Sequence, residues 1–68
     1  MVIFRDVYTQ VIYNYIELHD GDLILYKDIM SKFQMSYPTI RKKINWLIKN
    51  NFIEKQGRKI SIIPEWRR

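Results

Sequence analysis

Cysteine is absent from the 68 residues, glycine and proline occur twice each, and histidine once. The first absence removes disulfides, thiolate metal sites and thiol nucleophiles together, and fits a reducing cytoplasm. Few glycines and prolines beside 47% apolar residues argue for a packed core rather than a low-complexity chain. No apolar run approaches the roughly 20 residues that cross a bilayer, and no basic region followed by an apolar stretch opens the chain. The expectation is a soluble, cytoplasmic protein with no membrane partner. His19 alone offers too few ligands for zinc. No nucleophile, phosphate loop or carboxylate pair is apparent, so neither a cofactor nor an enzyme is expected. A chain this short makes one domain, residues 1–68.

What the chain does have is positive charge, unevenly spread. The formal net charge is +5. Residues 1–34 hold three basic residues (Arg5, Lys27, Lys32) against five acidic ones, whereas residues 35–68 hold nine against Glu54 and Glu65. Such asymmetry points to a polyanion met by the second half of the chain.

Hydrophobic spacing gives the elements. Over Ile3–His19, Phe4, Val7, Tyr8, Val11, Ile12, Tyr15 and Ile16 recur at helical intervals, and their arc is wider than one neighbouring helix can cover. Tyr13 projects off that arc, and Asp20-Gly21 ends the helix. Leu23-Ile24-Leu25 reads as a minor edge strand, and Tyr26–Phe33 as a two-turn helix with Ile29, Met30 and Phe33 inward. Ser36 before Tyr37-Pro38 is the best helix cap in the chain, since proline in a first turn forfeits no hydrogen bond. The third helix then spans Tyr37–Lys49, with Ile40, Ile44, Leu47 and Ile48 as its buried stripe and Asn50-Asn51 as its stop. A hairpin follows: strand Phe52–Lys55, turn Gln56-Gly57, return strand Arg58–Ile63, then Pro64, which cannot donate to a ladder. Trp66 in the tail either folds over the core or is left for a partner.

The order helix, short strand, helix, three-residue turn, helix, hairpin is an α+β winged helix-turn-helix. In such an arrangement the second helix of the motif is held proud of the body and can enter a major groove. Here its leading part offers Ser36, Tyr37, Thr39, Arg41 and Lys42, with Asn45 and Lys49 further along. Hydroxyls and amides at a helix start grip phosphate, and Arg41 and Asn45 carry the donors and acceptors that read guanine and adenine edges. The hairpin adds Lys55, Gln56, Arg58 and Lys59 at a tip suited to backbone or minor groove. Lys43 lies at the edge of the buried stripe, where it can snorkel to solvent.

The segments Ile29–Lys43 and Leu47–Arg58 resemble the DNA-binding domain of GntR-type transcriptional regulators, over roughly Leu23–Ile62. They are similar, less specifically, to the wider winged-helix superfamily with its small viral and archaeal members. The resemblance implies that Ser36 caps the recognition helix, that Thr39 and Arg41 contact DNA, and that Gly57-Arg58 is the wing's glycine-arginine pair. It also implies that Asn51 stands at the glycine before the wing, and that Trp46 replaces a leucine packed beneath it, as a core residue in the first instance or else as an exposed interface anchor. Met30, Lys43 and Lys59 depart from the family's small or glycine residues, and Lys27 falls where one base-proximal arginine is usual.

The expected function is sequence-specific binding of double-stranded DNA by a small transcriptional regulator, in a host cytoplasm if viral. A homodimer is expected, through helix 3–19 or the C-terminal tail, because one module is small. No small-molecule effector is expected, as no separate sensory domain is apparent. The alternative is a winged-helix subunit that binds protein within a nucleic-acid-processing complex. RNA or single strands are disfavoured, because aromatics do not interleave with the basic residues of the hairpin.

Overall fold

The computed structural model describes residues 2–68, in which three helices and a hairpin close around a core made mostly of isoleucine. The elements are α1 (Val7–Leu18), α2 (Tyr26–Phe33), α3 (Tyr37–Lys49), β1 (Ile53–Gln56), β2 (Lys59–Ile62) and a final 3₁₀ turn, Glu65–Arg67. Ile12 and Ile16 of α1, Ile29 of α2, Ile40, Ile44 and Leu47 of α3, and Ile53 and Ile60 of the hairpin are all enclosed. Within each helix the spacing of three or four keeps these side chains on one face. Each such side chain contributes about 1.5–3 kcal/mol by leaving water. The result is the α+β winged-helix arrangement that the order of elements implies.

Both α2 and α3 have the bounds their residues predict. Ser36 accepts from the Thr39 amide through its side chain, as the cap position requires. Gln34 (φ 53) and Asn51 (φ 64) take the left-handed turns that end the two helices, Asn51 at the place where the resemblance expects glycine.

Elsewhere the structure corrects the reading. Helix one starts at Val7, not Ile3, and residues 2–6 form a non-helical arm that bends at Arg5-Asp6. Phe4 keeps a helical interval to its neighbours, yet the arm carries it onto Tyr13, Trp46 and Phe52. Gln10 fixes the arm by accepting from the Phe4 amide (2.7 Å) and donating to the Val2 carbonyl (3.1 Å). Tyr13, expected off the apolar arc, is therefore buried, and burial lifts its phenol above the ordinary value of 10.0.

The Leu23–Leu25 strand shrinks to one bridge between Leu23 and Lys59, with the Ile24 amide donating to the Arg58 carbonyl. In the hairpin, Ile53 pairs with Ile62, Lys55 with Ile60 and Gln56 with Lys59, so the turn is Gly57-Arg58, one residue later than expected. Gly57 has φ 64 and Arg58 does not share the positive φ, the pattern of a II′ turn, which requires glycine first. Asp20 accepts from the Ile62 amide and ties the far end of β2 to the α1–α2 loop. Trp66 is left exposed. Arg67 meets Glu54, and Arg68 lies over the Phe52 ring, holding the tail against the body.

Candidate nucleic-acid interface

The outward side of α3 follows from its inward one. With Ile40, Ile44 and Leu47 turned to the core, residues at 100° per position place Pro38, Lys42, Asn45 and Lys49 opposite, and all four are exposed. Tyr37, Pro38, Arg41, Lys42 and Asn45 together line a shallow concavity on this face. The Lys42–Asn45 side is thus open to a partner rather than covered by the protein's own body.

The cations on this side are free of carboxylates. Among the described residues the ion pairs are His19–Asp22, Lys43–Asp6 and Arg67–Glu54. Lys27, Arg41, Lys42, Lys49, Lys55, Arg58 and Lys59 have no acidic partner, and all seven are exposed. Among the described residues, the carboxylate that pairs with α3 does so at Lys43, off this outward face. Asp6, at the start of α1, takes Lys43 at 2.6 Å and accepts from the Thr9 hydroxyl at 2.8 Å. Lys43, then the Thr9 hydroxyl, lower its carboxyl pKa to about 2. Sequence reasoning missed this pair, which joins distant parts of the chain.

Between α3 and the wing lies a second cluster that was also missed. Tyr26, Lys27, Tyr37, Lys55 and Arg58 line a cleft floored by Ile24 and Leu25. The Lys55 ammonium donates to the Tyr26 hydroxyl at 3.0 Å and sits 4.8 Å from that ring's centre. The Tyr26 and Tyr37 rings lie 5.7 Å apart. Lys55 owes this reach to its register: it shares the inward face of the hairpin with Ile53, Ile60 and Ile62, but at the tip end. The cleft brings together Lys27 of α2, Tyr37 of α3, and Lys55 and Arg58 of the wing, four expected site residues from three elements.

The remaining expected residues divide. Gln56 and Lys59 flank the turn, both exposed. Ser36 and Thr39 share a hydroxyl–hydroxyl hydrogen bond of 2.8 Å, so these two oxygens serve the cap first. Trp46 corrects the expectation of a core residue. It is 46% exposed, with its ring stacked on Phe52 at 5.9 Å and 14°.

Chemically, the surface can bind and orient an extended anion. Among the described residues there is no group of three or more His, Asp or Glu placed to hold a metal. These features define a winged helix-turn-helix arrangement whose outer α3 face is basic and exposed. Compared with protein-family models, curated proteins and solved structures, the chain gives no match in any of the three, so the class rests on the fold itself.

Proposed function

We propose that the protein is a sequence-specific binder of double-stranded DNA, acting as a small transcriptional regulator and without catalysis. The observation that carries this reading is the set of seven exposed cations on α2, α3 and the wing that no carboxylate neutralises. In this reading α3 enters the major groove, with Arg41 and Asn45 toward base edges and Lys42 and Lys49 toward phosphates. The Lys27–Lys55–Arg58 cleft takes the adjoining strand's backbone, and Arg58 at the tip points along the minor groove. The resemblance to GntR-type domains supports the same roles for Ser36, Thr39, Arg41 and Gly57-Arg58. One module buries little surface, so the reading includes two copies on one site.

A titration of duplex binding against salt tests it. Neutralising about three to five phosphates per copy gives a log–log slope of about −2.7 to −4.5, and a specific duplex should outcompete random duplex at every salt concentration. Absence of binding at low salt would remove the reading and favour a protein partner at the exposed Trp46 and Trp66.

A further inference from the structure

The flank of α3 away from the wing borders a groove that duplex binding does not explain. It measures about 480 Å³, within the range of small-molecule sites, and is closed on one side by the N-terminal arm. Its floor is aromatic: Phe4, Trp46 and Phe52, with Phe4 edge-on to the other two at 6.0 and 5.0 Å. Its rim holds three cations, of which Lys43 is already satisfied by Asp6. Arg5 and Lys42 are exposed and, among the described residues, have no acidic partner. An aromatic floor beneath two uncompensated cations suits one kind of occupant, a flat ring bearing a negative group.

We propose that this groove binds a small aromatic carboxylate, its ring on Trp46 and Phe4 and its carboxylate between Arg5 and Lys42. The expectation of no effector considers a separate sensory domain, whereas this site lies inside the winged helix itself. Lys42 also belongs to the exposed face of α3. A bound carboxylate neutralises it, so ligand and duplex oppose each other, and by linkage the antagonism is mutual. That coupling rests on the proposed DNA binding; the ligand site does not.

The two indole N–H resonances of the ¹⁵N-labelled protein, assigned with Trp66→Phe, report the groove separately from the tail. Naphthalene-2-carboxylate should shift the Trp46 resonance saturably at submillimolar concentration and leave Trp66 in place. The neutral carboxamide should bind about tenfold more weakly or worse, the loss expected for a charge-assisted contact. The Arg5→Gln/Lys42→Gln double variant should bring the carboxylate down to the carboxamide's affinity while its spectrum stays folded. Equal binding of acid and amide, or no saturable Trp46 shift, overturns the site. With the site established, a saturating carboxylate should weaken duplex affinity severalfold. An unchanged duplex affinity overturns the antagonism alone, and a protein that takes the ligand but no duplex refutes the DNA reading and leaves the site standing.

Discussion

At Lys43 the fold withdraws one cation from the basic surface of α3 and uses it to anchor the start of α1. The consequence is a pH dependence of defined sign. The Asp6 carboxyl titrates near 2 when folded, against an ordinary 3.8, so its contribution to stability is present above about pH 4 and is lost as pH falls toward 2. Asp6→Asn should lower the thermal midpoint at pH 7 and flatten its decline between pH 4 and 2, read by circular dichroism melts. An equally steep decline in the variant would detach Lys43–Asp6 from acid stability. The unpaired arginines carry the complementary prediction. Arg41→Ala and Arg58→Ala each remove an exposed side chain with no acidic partner, so the fold should melt unchanged. Loss of a base-reading arginine costs about 1–3 kcal/mol of duplex binding, so Arg41→Ala should weaken a specific site by roughly 5- to 150-fold and relax its sequence preference. Arg58→Ala should instead weaken all duplexes alike and shallow the salt slope by about one.

Among the elements, α3 was the most legible, because its signals are local. Ser36-Tyr37-Pro38 marks its start, Asn50-Asn51 its end, and four apolar residues at helical spacing fix its seat. The same locality explains α2. The start of α1 was not legible, since Phe4 and Val7 continue the helical interval through a segment that the Gln10 hydrogen bonds and the Asp6–Lys43 pair hold out of the helix. Those contacts join residues whose proximity no spacing rule gives. Likewise Gln56-Gly57 and Gly57-Arg58 are both plausible turns on composition, and pairing across the strands decides between them. Of the interface, the exposed α3 residues followed from the stripe, whereas the Tyr26–Lys55 contact and the half-exposed Trp46 depend on how the wing lies over α2 and α3. How firmly α3 is seated can be measured at its centre. Ile44 is completely enclosed, and Ile44→Ala should cost about 2–5 kcal/mol in urea denaturation with little change in slope. A cost under 1 kcal/mol would mean that α3 is not held by this stripe.

For the molecule as a whole, the proposed pairing of two copies on one duplex needs a surface that joins them, and α1 offers one. Ile12, Ile16 and Tyr13 face inward, yet Val7, Tyr8 and Leu18 are 71%, 53% and 76% exposed, and Val11 and Tyr15 are half-buried beside them. At 100° per residue, Val7, Leu18 and Val11 fall within about 40° of one another, an apolar stripe interrupted by the exposed Asn14 between Val11 and Leu18. Glu17 is the only charged residue in the helix, so two copies packed antiparallel bring Val7 of one against Leu18 of the other with no like charges opposed. A two-fold axis through this face uses the same stripe twice, as an isologous interface must. This arrangement predicts a concentration-dependent dimer in sedimentation velocity, dispersed to monomer by Leu18→Glu without loss of helix content. The same variant should lose binding to a two-half-site duplex far more than to a single half-site, because only the linked second contact disappears. If Leu18→Glu and the parent sediment alike and bind both duplexes with equal affinity, α1 is not the contact, and the tail carrying the exposed Trp66 becomes the surface that must join the copies.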